Sequence, residues 1–281
     1  MMIKKILLTA AITVLANNVL ADTNPLKTQT GNEIGISISD YEYREPFKPG
    51  SHGFWMDMNA VNYGISYLGI YKFNDNWFAL ADLGYKSGKD DYDSSGSGFD
   101  KGIHKEIFEG KIAIGRDFAF DSFVLSPYIG LGHRYLNSKW RGKTSSGGIV
   151  YGRENRLFLL PIGITHKMNL RADSLLQTQF EFNQLLRGNQ RSNFSETQYL
   201  ANVIRWDNTD NPQKEGYGLK ASTKYKKNNW SIGPYAEYFR IKKSNIVLQT
   251  KITVDSGTQL FWIHEPENYT KEYGLKASYT F

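Results

Sequence analysis

Taken in steps of two, the closing stretch "EYGLKASYTF" separates into two kinds of residue. Tyr273, Leu275, Ala277, Tyr279 and Phe281 fall on one side, and Glu272, Gly274, Lys276, Ser278 and Thr280 on the other. Successive side chains of a strand point to opposite faces, so the pattern predicts a strand with one apolar and one polar face. An earlier stretch, "YGLKASTKY", divides the same way, with Tyr217, Leu219, Ala221 and Tyr225 against Gly218, Lys220, Ser222 and Lys224. Ten segments of this kind follow one another, at 32–44, 60–74, 77–88, 103–118, 123–138, 154–168, 174–188, 214–227, 230–243 and 269–281.

Length and rhythm separate this pattern from a soluble β-sandwich. The segments run to about ten residues or more with aromatic residues near both ends, whereas soluble strands are usually about 5–6 residues. Their connections alternate strictly. Those at Asp75-Asn76, Ala119–Ser122, Asn169–Asp173 and Asn228-Asn229 are tight, while those at 45–59, 89–102, 139–153, 189–213 and 244–268 are long and rich in Gly, Ser, Asn and charge. An even strand number with alternating connections predicts an all-β fold, a transmembrane antiparallel β-barrel of about ten strands with short periplasmic turns and long extracellular loops. The expected location is the outer membrane.

The first residues, "MMIKKILLTAAITVLANNVLA", combine Lys4 and Lys5 with an apolar run from Ile6 to Leu15 and a small-residue site at Val19-Leu20-Ala21. That is the pattern of a cleaved signal peptide over residues 1–21, leaving 22–281 as one barrel domain. The apolar run falls short of the roughly 20 residues a spanning helix needs. Loss of Lys4 and Lys5, with no acid in the same stretch, takes the formal charge from +6 to +4. The absence of cysteine excludes a disulfide scaffold, a cysteine-ligated zinc site and a thiol nucleophile.

Parity along the segments assigns Glu33, Asp82, Glu109, Lys111, Arg134, Gln179, Glu181, Asn183, Arg187, Lys220, Lys224, Glu237, Glu272 and Lys276 to the interior. Eight strands are just filled by their own side chains and wide channels need about sixteen. Ten strands carrying long acids and bases therefore predict a lumen filled by a network of ion pairs, since an unpaired charge away from water is costly. At most a narrow, discontinuous path is left.

The terminal strand ending on Phe281, with Tyr279 two before it, resembles the signal by which the barrel assembly machinery recognises outer-membrane proteins. More narrowly, "LSPYIGLGHRYL", "LFLLPIGI", "GYGLKAS", "GPYAEYFRIKKS" and "EPENYTKEYGLKASYTF" resemble motifs of a family of small, mostly uncharacterised outer-membrane β-barrel proteins of Gram-negative bacteria. The likeness covers most of the chain after the signal. It implies fold, location and an encounter with the assembly machinery, and no biochemistry.

Site chemistry adds little. The five histidines, His52, His104, His133, His166 and His264, include no pair at metal-ligand spacing, so no metal site and no cofactor are expected. Ten strands invite comparison with the omptin proteases, for which the candidate acids are Asp90 and Asp91 with His264 and Glu265 opposite, but an omptin-like histidine–aspartate sequence is missing. A lipid-acting hydrolase needs a serine polarised by a histidine that a third group holds. The pairs His104 with Ser97 and His52 with Ser51 lack that third member, and His166 faces lipid by parity.

The outer loops carry a more usable pattern. Lys48, Lys101, Lys105, Lys139, Arg141, Lys143, Arg153, Arg191, Arg205, Lys214, Lys242 and Lys243 are interleaved with Phe54, Trp55, Trp140, Tyr199, Trp206, Phe261 and Trp262. Such a surface suits lipopolysaccharide phosphates or an external partner. An exported barrel does not meet nucleic acid, so the pI of 9.1 is not read that way. The expectation is a non-enzymatic outer-membrane barrel of structural or interaction type, without assigned catalytic residues. The alternatives are a small low-conductance pore and, after it, an omptin-like or lipid-acting hydrolase.

Overall fold

The computed structural model describes residues 24–46, 55–171, 173–201 and 203–281; the expected signal peptide, like Lys48, Ser51, His52 and Phe54, lies outside them. Ten antiparallel strands form one closed sheet: β1 Gly31–Glu45, β2 Met56–Lys72, β3 Trp77–Ser94, β4 Gly98–Arg116, β5 Phe123–Lys139, β6 Arg153–Arg171, β7 Ser174–Ser192, β8 Gly216–Lys227, β9 Trp230–Ile241 and β10 Asn268–Thr280. Each strand pairs with its neighbours in sequence, and β1 closes the barrel on β10, with Ile36 opposite Ala277. Closure leaves no barrel strand with an unpaired edge.

Two of the periplasmic turns are made by asparagines. Asn228 takes a left-handed conformation (φ 51°) in the two-residue link from β8 to β9, where the strand twist favours such turns. Between β2 and β3 the Asn74 side chain accepts hydrogen bonds from the backbone N–H groups of Asn76 and Trp77 at 3.0 and 2.9 Å. At the other end the strands continue past the expected boundaries. β3 and β4 pair up to Ser94 opposite Gly98, so the stretch expected as a loop at 89–102 is mostly sheet. Residues Thr209–Gln213 likewise pair with the outer end of β7, inside the expected loop 189–213.

A change in polarity explains these longer strands. In the band marked by outward Ile36, Ile65, Ile112 and Leu275, which are 54–67% exposed, apolar residues point out and charges point in. Farther out the arrangement inverts. Met56, Met58, Ile103, Ile107, Leu157 and Ile241 point inward and are buried, while Asp57, Asn59, Glu106 and Arg240 alternate with them on the outside. Beyond the lipid, water bathes the outside and the lumen can fill as a dry core. Phe182, Tyr217, Tyr238 and Tyr269 run across four strands near this change, with 6.1 Å between successive ring centroids. Trp230 and Tyr279 meet at 4.9 Å at the periplasmic end.

In β7 the alternation breaks near its outer end. Leu185 is paired with Leu159 and Arg187 with Phe158, so β7 carries one residue more than β6 at this point. The bulge turns both Leu186 and Arg187 outward and leaves Leu185 and Gly188 buried. Arg187, expected in the lumen, therefore stands on the outer surface of the barrel.

Inside, glycines make room for rings laid against the wall. The Tyr128 ring covers Gly163 and the Phe239 ring covers Gly218, in each case where a Cβ would collide with it. The wall is thereby thickened inward by aromatic side chains.

Candidate functional site

The centre of the barrel holds a chain of alternating charges. Arg134 on β5 donates to Glu109 on β4 at 2.9 Å, and Lys220 on β8 donates to the other Glu109 oxygen at 2.6 Å. Lys220 also lies 3.5 Å from Glu237 on β9, which Lys86 on β3 contacts at 3.2 Å. Lys86 then reaches Glu272 on β10 at 2.8 Å, and Ser39 and Tyr235 donate to the same Glu272 oxygen. These six charges join strands from opposite walls, so the chain crosses the lumen. A second group lies nearer the periplasm, where Lys111 and Tyr128 converge on Glu181 at 2.5 and 2.7 Å and Asn183 donates to its other oxygen. Asp82 is 3.5 Å from Lys111, while Glu33 accepts Lys224 at 2.6 Å and Ser278 at 2.8 Å. Lys276 projects into the same cavity and has no hydrogen bond or ion pair among the described residues.

Above the chain the lumen narrows to a layer of buried side chains around a cavity of about 50 Å³. Lys105 donates to Asp90 at 2.5 Å and sits 3.2 Å from the centre of the Tyr41 ring. Arg134 lies over Phe239 at 4.9 Å. Tyr41, Asp90, Lys105, Leu157 and Phe239 are each at most 2% exposed, which makes this layer a plug. Nearer the outer mouth Arg153 lies 3.3 Å from Glu45 and 3.7 Å from Glu265, and Ser192 donates to Glu265 at 2.9 Å. Glu45 stands seven residues beyond Ile38, outside the apolar band, and burial raises its pKa.

At the periplasmic end the stretch before β1 lies against the mouth. Thr28 donates from its backbone N–H and its hydroxyl to Asp117 at 2.6 and 2.8 Å, Ser126 donates to the same carboxylate, and Lys167 donates to the Thr28 hydroxyl. Cavities of about 200, 190 and 50 Å³ succeed one another from this end outward. The Lys111–Asp82 contact borders the first two, and Arg134 borders the second and third.

The candidate catalytic groups are dispersed. Asp90 is committed to Lys105, and Asp91 accepts the Gly102 N–H at 3.2 Å. Glu265 is buried while His264 beside it is exposed. His104 lies 3.5 Å from Glu106, whereas the Ser97 hydroxyl bonds to Tyr92. His133 and His166 pack with tilted rings against Phe158 and Phe123, at 4.9 and 5.3 Å between centroids.

A search of solved structures finds outer-membrane barrels. The outer membrane protease OmpT from Escherichia coli is 11% identical, with a TM-score of 0.56 over 94% of this chain and 99% of that one. The chain has the fold of an outer-membrane β-barrel. An outer membrane channel from Pseudomonas putida F1 (11% identity, TM-score 0.39, 93% and 100% covered) and the transport unit of the autotransporter AIDA-I from Escherichia coli (10%, 0.39, 93% and 93%) are also found. No family model and no curated protein matches the chain.

In this barrel, Glu33, Asp82, Glu109, Lys111, Arg134, Glu181, Lys220, Lys224, Glu237, Glu272 and Lys276 face the lumen, and Arg187 does not. Phe281 exchanges backbone hydrogen bonds with Asn32 at 2.8 and 3.0 Å and is 61% exposed. Two bases expected at the outer rim, Lys105 and Arg153, are instead turned into the barrel. The sequence reading omitted Lys86, the link between Glu237 and Glu272, although it lies in phase with Asp82 on β3. It also missed Tyr128 and Tyr235, because an inward tyrosine cannot be told from a girdle residue without the strand phase.

Proposed function

We propose that this barrel is a closed, non-enzymatic outer-membrane protein of structural and interaction type that acts through its outer surface, where it meets lipopolysaccharide. The reading rests on the lumen: the plug around Tyr41, Lys105, Asp90 and Phe239 lies above a chain of ion pairs spanning opposite walls. A solute would have to break paired, buried charges, which is strongly unfavourable. No histidine among the described residues is placed with a serine and a third group as hydrolysis requires. The test is planar-bilayer recording of the purified full chain, with no resolvable ohmic steps expected. Reproducible stepwise conductance would favour the small-pore reading instead. Retention of lipopolysaccharide by the refolded protein tests the surface part of the reading.

A further inference from the structure

The bulge in β7 places an unpaired guanidinium at the edge of the apolar band. Arg187 is exposed, and among the described residues no carboxylate lies within ion-pair distance of it. Its immediate surroundings are apolar: Leu186 beside it is 53% exposed and Phe158, its partner across the strands, 51%. Two residues along β6 from Phe158, on the same outer face, stands Arg156. Diagonal neighbours of this kind lie about 7–8 Å apart between Cα atoms, within reach of two long side chains around one anion. Arg156 lies over the Tyr135 ring at 5.6 Å and spends one edge on Glu154 at 2.6 Å. Arg156 thus has one acid, and Arg187 has none among the described residues.

A bulge re-aims a side chain, and this one exchanges a lumen position for the lipid boundary. Two neighbouring guanidiniums at that boundary repel each other, and a phosphate between them accepts charge-assisted, bidentate hydrogen bonds from both. We propose that Arg187 and Arg156 form a seat for a phosphate of a phosphorylated glycolipid in the outer leaflet, with Leu186 and Phe158 against its acyl chains. The proposal rests on the lipopolysaccharide reading above and assigns it a place.

Native mass spectrometry of the full-length barrel in detergent, titrated with bisphosphorylated lipid A, tests the seat. Arg187→Gln and Arg156→Gln should each weaken binding about tenfold, the scale of a lost charge-assisted hydrogen bond. Arg187→Lys should retain part of the affinity, and Lys89→Gln, exposed four strands away, all of it. The two Gln variants should keep the heat-modifiable mobility of the parent, since both side chains lie outside the fold. Parental binding by Arg187→Gln, equal binding of dephosphorylated lipid A, or full displacement by millimolar inorganic phosphate would each overturn the seat. If the parent itself does not bind lipid A, the lipopolysaccharide reading fails with it; if the parent binds and Arg187→Gln binds equally, the seat alone fails.

Discussion

Lys105 holds its ammonium 3.2 Å from the centre of the Tyr41 ring, and both residues are almost wholly buried inside the outer half of the barrel. The ring face is the negative side of an aromatic quadrupole, and Asp90 supplies the formal counter-charge at 2.5 Å. Three strands, β1, β3 and β4, are tied at one point.

Removing the cation alone should therefore be severe. Lys105→Met leaves the Asp90 carboxylate buried without a partner and is expected to cost about 3–5 kcal/mol. The pair Lys105→Met with Asp90→Leu should recover most of that loss. Urea unfolding in lipid vesicles gives both values, and equal stability of the single and double variants would show that the pair is not coupled.

Glu109 and Lys276 offer a contrast within one lumen. Glu109 holds both Arg134 and Lys220, so Glu109→Gln leaves Arg134 without an acid and Lys220 with only Glu237 at 3.5 Å, and should cost about 3 kcal/mol or more. Lys276→Gln breaks no ion pair among the described residues and should stay within about 0.5 kcal/mol. The same unfolding assay ranks them, and a Lys276→Gln loss as large as that of Glu109→Gln would contradict the arrangement.

The inversion of polarity is tested by two apolar residues at different heights. Leu157 is 1% exposed in the outer core, so Leu157→Ala should cost about 2–5 kcal/mol, as in a soluble protein. Ile36 is 67% exposed in the apolar band, where Ile36→Ala opens no cavity and Ile36→Arg should cost about 2–4 kcal/mol in bilayers. In detergent micelles, which adapt around an arginine, that second penalty should shrink while the Leu157→Ala penalty persists. Loss of the Leu157→Ala penalty would mean that the outer lumen is not a packed core.

Phe281 is nearly free of packing, so its deletion tests recognition more than stability. The truncated protein loses the two backbone hydrogen bonds to Asn32, about 0.5–1.5 kcal/mol each, so it should still refold in vitro, yet reach the outer membrane at lower levels in cells. Quantified outer-membrane fractions of the two forms decide it. Equal levels would leave Phe281 as a girdle residue alone.

The ten strands, their antiparallel succession and the alternation of tight and long connections could be derived from the chain alone. Within the apolar band each strand faces two solvents, and the identity of Leu275 or Lys276 suffices to say which side it takes. Above the band that rule loses its cause, because lipid gives way to water outside and a dry core inside. Met56–Asn59 then look out of phase, which is why that strand seemed to begin only at Ala60. The bulge at Leu186 was likewise invisible: "QLLRGN" contains nothing that fixes which residue is the extra one. Tertiary structure alone decided partnership. Glu109 meets Lys220, 111 positions further along the chain, and Lys86 meets Glu272, 186 further along, because barrel closure and strand stagger bring those walls together. Local alternation fixes which way a side chain points, and only the closed barrel fixes what it finds there.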